Sequence, residues 1–78
     1  MLNKGYTQLM DVLSEQRKEK LKASQRAWIK FRGSEADFIS SAYAKGSIRP
    51  LILAQALIRL TDQRASELAK SHLNEITP

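Results

Sequence analysis

The sequence predicts an all-α fold, a small antiparallel three-helix bundle. Three observations carry that expectation. Apolar residues recur every three or four positions in three separate segments, which is the period of a helix face. A Ser cap signal at Ser14 and one strong breaker, Lys45-Gly46-Ser47-Ile48-Arg49-Pro50, divide those segments. The chain has 78 residues, enough for a single domain over 1–78, so the three helices must share one core.

The first helix is expected over about 2–13. Leu2, Tyr6, Leu9 and Leu13 follow one another at spacings of four, three and four, and Met10 widens that face. Asn3 and Gly5 weaken its first turn. A segment this short is marginal as a free helix, so it should form by docking.

The second and longest helix is expected over about 15–44. Ser14 is a favoured N-cap, and Glu15 suits the positive end of the helix dipole. No Pro interrupts the span, and Gly33 is its only Gly. Leu21, Trp28, Phe31, Glu35, Phe38 and Ala42 mark one stripe with Ile39 beside it, which predicts Trp28 and Phe31 in the core. A helix from Glu15 to Ala42 is about 42 Å long. The other two should therefore lie along it, the first covering its N-terminal half.

Gly46 is expected as a C-terminal cap, and Pro50 suits the first turn of the next helix. The third helix is expected over about 50–73. Leu51 to Ile58 is apolar nearly all round, and the stripe then narrows to Leu57, Leu60, Leu68 and Ala65 or Ala69. Asn74 to Pro78 is expected to fray. Short connections make neighbouring helices antiparallel.

Composition narrows the function. No Cys is present, so the chain has no disulfide and no thiolate metal site, and His72 alone cannot hold zinc. His72 fits a surface position near a helix C-terminus. There is no Gly-rich phosphate loop, no nucleophile motif and no spaced carboxylate pair. The reading is a non-enzyme with no cofactor and no metal. Met1-Leu2-Asn3-Lys4-Gly5 is too polar for a signal peptide, and no stretch reaches the roughly 20 apolar residues of a membrane span.

The net charge of +5 suits an acidic partner. Lys18, Lys22, Arg26 and Lys30 recur every four residues and form a basic ridge, the candidate partner-binding surface. Glu15 and Glu19 precede Lys18 and Lys22 by three, so part of the ridge should be self-paired. An ordinary solvated face is the preferred reading, with nucleic-acid binding as the alternative. Arg32 with Glu35 and Arg64 with Glu67 are spaced for intrahelical ion pairs that clamp the core.

Four ordered blocks then carry a resemblance. Leu2-Asn3-Lys4-Gly5-Tyr6-Thr7-Gln8-Leu9-Met10 looks like "LNxxYxxLM". The segment from Ala23 to Arg32 looks like "AQRAWIxxR". Gly46 to Pro50 resembles "GSIxP", and Leu60 to Leu68 resembles "LTxxRxxEL". Together they resemble the bacterial LprI-like lysozyme-inhibitor N-terminal domain family over nearly the whole chain. The resemblance implies a small helical, protein-binding domain of the periplasm or cell envelope, with lysozyme as a partner. Trp28, Phe31, Arg32, Glu35 and Arg64 are read together as the structural signature of the fold.

Similar members carry a Cys where this chain has Ala36 and another where it has Ala56. The resemblance implies a disulfide between the second and third helices that is lost here at both ends. Members also often carry a helical segment upstream. A short cytoplasmic form and a fragment of an envelope protein are the two alternatives. Self-association that hides the apolar surface of Leu51 to Ile58 is a third functional reading, beside inhibition and nucleic-acid binding.

Overall fold

The computed structural model describes residues 2–76, without the side chain of Leu2. It consists of α1 (Leu2–Val12), α2 (Glu15–Ser41) and α3 (Arg49–Ile76). The all-α three-helix class is as the sequence predicts. Met1, Thr77 and Pro78, which belong to the expected ends, lie outside the described residues.

Each boundary has a local cause. Ser14 has extended backbone angles, and its hydroxyl accepts from the Arg17 backbone N–H at 3.3 Å, the expected N-cap. α2 ends at Ser41 rather than 44. Beyond it the backbone tightens into successive three-residue turns, Tyr43 N–H to Ser40 carbonyl and Gly46 N–H to Tyr43 carbonyl, both at 2.9 Å. Gly46 is not a left-handed cap, because no described glycine has positive φ. α3 runs on to Ile76, past the expected end near 73. Glu75 is held in an ion pair by Arg17 at the start of α2, which ties down the last turn.

The ordering of pairs gives the topology. Arg17 meets Glu75, Gln25 meets Arg64, Arg32 meets Thr61 and Asp37 meets Arg49, so α2 and α3 are antiparallel. Gly5 of α1 lies against Ala65 and Leu68, while Leu9 of α1 and Leu13 just beyond it share a hollow with Ser71 and Glu75. α1 therefore runs parallel to α3.

Here the packing departs from expectation. α1 docks mainly on α3, not on the N-terminal half of α2. The opening turns of α2 carry Glu15, Arg17, Lys18, Glu19 and Lys20, whereas α3 offers Ala65 and Leu68. Leu9 and Leu68 are both buried and form the core at this end. A β-carbon on Gly5 would lie 3.6 Å from the Leu68 β-carbon, ordinary contact, so a small residue there seats α1 close on α3.

The other end of the core is built from small side chains. Ala36 of α2 packs with Ala56 and Leu60 of α3, and Ile39, Leu53 and Leu57 surround them. Ser40 is fully buried; its hydroxyl donates to the Asp37 carbonyl at 3.2 Å, so the burial leaves it satisfied. The contact face of α2 is thus Gln25, Arg32, Ala36 and Ser40, turned from the stripe of large residues. Phe31 is 48% exposed and Phe38 73% exposed, which corrects the expectation of Phe31 as core. Small residues on the seam bring the two helices close, and bulky rings are left at its flank. The molecule is elongated, 49 × 19 × 16 Å.

Candidate functional site

Trp28 is half-buried on α2 and is flanked by two guanidinium groups. The Arg32 Cζ lies 5.2 Å from the ring centroid and the Arg64 Cζ, from α3, 5.9 Å. Each contact is worth about 0.5–2 kcal/mol, more as water is excluded. Arg64 also ties the helices together. Its Nε donates to Gln25 Oε1 at 3.1 Å, its Nη2 to Ser24 Oγ at 3.2 Å, and its Nη1 lies 3.7 Å from Glu67.

Arg32 takes a different partner from the one expected. Among the described residues it forms no ion pair with Glu35. Its Nη1 reaches the Thr61 hydroxyl at 3.4 Å, and that hydroxyl in turn donates to the Leu57 carbonyl at 2.7 Å. Stacking on Trp28 turns the guanidinium toward α3 and away from Glu35. Its Nε is buried without a hydrogen-bond partner. Such a group is costly, and the ring face of Trp28 is the compensation in view.

Trp28 and Arg64 line a cleft of about 570 Å³ along the α2–α3 seam. α2 contributes Trp28, Phe31, Glu35 and Ile39, spaced by three, four and four. α3 contributes Arg59, Leu60, Gln63, Arg64 and Glu67. The stripe that periodicity assigns to the core is therefore an open wall. Its floor is Leu60 and Ile39, its rim carries two arginines and two glutamates, and Phe31 stands half-exposed at the edge. Apolar floor, mixed-charge rim and a projecting ring suit an inserted loop or side chain of a protein partner.

Arg59 and Gln63 are missed by the sequence reading. Their signal is present: Arg59, Gln63 and Glu67 recur every four residues beside Leu60 and Arg64.

The basic ridge divides in two. Lys18 pairs with Glu15 at 3.1 Å and Lys22 with Glu19 at 3.2 Å. Arg26 and Lys30 are exposed and have no ion pair among the described residues. Only these two cations of the ridge remain for an anionic partner. Ala36 and Ala56 sit in the same core cluster, one on each side of the α2–α3 seam. Among the described residues no three His, Asp or Glu side chains gather to hold a metal ion, and no helix is long and apolar enough to cross a membrane.

Comparison with known proteins follows the same lines. A family model described as lysozyme inhibitor LprI matches residues 1–68. No curated protein and no solved structure matches the chain. The family match covers most of the 78 residues, and the chain belongs to the LprI lysozyme inhibitor family.

Proposed function

We propose that this member of the LprI family is a non-catalytic protein-binding domain that inhibits a lysozyme, using the α2–α3 cleft as its docking surface. On this reading it works in the bacterial periplasm or at the cell envelope, where lysozyme is met. The observation that carries the reading is the half-exposed Phe31 at the edge of a cleft built on Trp28 and Arg64.

The mechanism is steric. Phe31 anchors a loop of the enzyme, the apolar floor takes its buried part, and the contact blocks the substrate groove. Arg59 and Arg64 on one wall and Glu35 and Glu67 around them set orientation through complementary charge. Aromatic and arginine side chains are the usual energetic centres of such contacts.

Charge selects the target. A chain of net charge +5 is repelled at long range by a strongly basic enzyme and attracted by one with an acidic surface. Acidic lysozymes should therefore be bound faster than basic ones. A cell-wall lysis assay over both kinds of enzyme tests this. Slowed lysis with the acidic enzymes supports the proposal, and undiminished lysis with every enzyme overturns it.

A further inference from the structure

α1 and α3 differ greatly in length, and the difference leaves half of the bundle unfinished. α1 has 11 residues, about 16 Å, whereas α3 has 28, about 42 Å. α1 lies over Ala65, Leu68 and the residues beyond them. From Arg49 to Thr61, α3 has α2 on one side and, among the described residues, no third helix on the next. There Leu51 and Ile58 are 55% and 63% exposed, with exposed Ala54 between them. Leu57, Ile58, Thr61 and Asp62 line a shallow hollow of about 230 Å³ just before α1 begins to cover the helix.

The surface area points the same way. The chain exposes 5744 Å² at 8.8 kDa. A folded monomer of that mass exposes about 4,800 Å². The excess is close to the ~800 Å² that each partner of a standard protein interface buries.

We infer that a second copy of this chain covers the Leu51–Ala54–Ile58 strip, so that two α2–α3 hairpins close into a four-helix bundle around a two-fold axis. The strip is self-complementary in the one respect that matters for two copies of charge +5. From Leu51 to Ile58 there is no charged residue, so the copies meet where neither repels the other. The basic ridge of α2 does not offer that. An isologous contact of this kind closes on itself and stops at the dimer.

Sedimentation equilibrium on the full chain tests the inference. The expected mass is twice 8.8 kDa at micromolar to millimolar concentration. Ile58→Glu should weaken the dimer by about a hundredfold, because an exposed apolar contact becomes two facing carboxylates. Its helical circular dichroism should be unchanged. A second variant, Ile58→Cys, places the only thiol of the chain near the axis, and mild oxidation should convert it to covalent dimer. Lys45→Cys, at the exposed turn, should not crosslink. A wild-type chain that stays monomeric at millimolar concentration overturns the inference. So does an Ile58→Glu variant that dimerises as well as wild type, or a monomer that loses lysozyme inhibition on the same substitution, which assigns the strip to the enzyme instead.

Discussion

Arg64 and Gln25 are 39 positions apart, yet the Arg64 Nε donates to the Gln25 side-chain carbonyl at 3.1 Å. The same guanidinium lies against Trp28 and touches Ser24 and Glu67. Its side chain is only 13% exposed. One residue of α3 thereby reads three residues of α2 and fixes the register of the seam.

Removing Arg64 should therefore cost more than removing a surface arginine. Hydrogen bonds to a charged group are worth about 1.5–3 kcal/mol, so Arg64→Ala should lose roughly 2–3 kcal/mol of stability. Arg64→Lys keeps the charge but not the forked geometry, and should recover less than half of that loss. Urea denaturation measures both. A loss within about 0.5 kcal/mol for Arg64→Ala, the scale of an ordinary surface change, contradicts the clamp.

Trp28 and Phe31 should behave differently although both fall on one apolar stripe. Trp28→Ala removes a half-buried ring and two cation contacts, and should cost about 3 kcal/mol. Phe31→Ala removes a ring that is 48% exposed, and should cost under about 1 kcal/mol. Thermal unfolding of the two variants side by side separates a core stripe, where both losses are large, from a cleft wall, where only the first is.

Gly33 offers the opposite sign. A β-carbon at Gly33 meets nothing within 4 Å, and the residue lies inside α2 with ordinary helical backbone. Gly33→Ala should stabilise by about 0.5–1 kcal/mol. That raises the midpoint of thermal unfolding by several degrees in a chain this small. A lower midpoint means that the residue serves a contact absent from the isolated chain.

Ala36 and Ala56 lie in one buried cluster on opposite sides of the seam. The paired substitution Ala36→Cys with Ala56→Cys should form a disulfide on oxidation and add about 3 kcal/mol of stability. Thiol titration and urea denaturation follow it. Two free thiols after oxidation show that the β-carbons do not meet the geometry of a bridge.

The helices and their punctuation were legible because they rest on local chemistry. Ser14 caps, Pro50 opens a helix, and the Leu9 face of α1 repeats at helical spacing. The rotation of α2 was not legible. Large residues dominate a periodicity reading, so Phe31 and Phe38 drew the expected face toward themselves. The seam is made by Ala36, Ser40 and Ala56, whose value is their small size, and size complementarity belongs to the pair of helices rather than to either one. The same holds for the site. Trp28, Arg32 and Arg64 stood out in the sequence, but Arg59 and Gln63 gain meaning only once α3 lies beside α2. The choice of Thr61 over Glu35 by Arg32 likewise depends on a residue 29 positions away.

On the proposed function, the α2–α3 cleft docks a lysozyme through Phe31. The most direct measurement is inhibition of an acidic lysozyme by wild type and by Phe31→Ala at matched helicity. The expected result is inhibition by wild type that falls at least about tenfold in the variant, the loss typical of an interface anchor. Equal inhibition by the two proteins, or none by wild type, contradicts it.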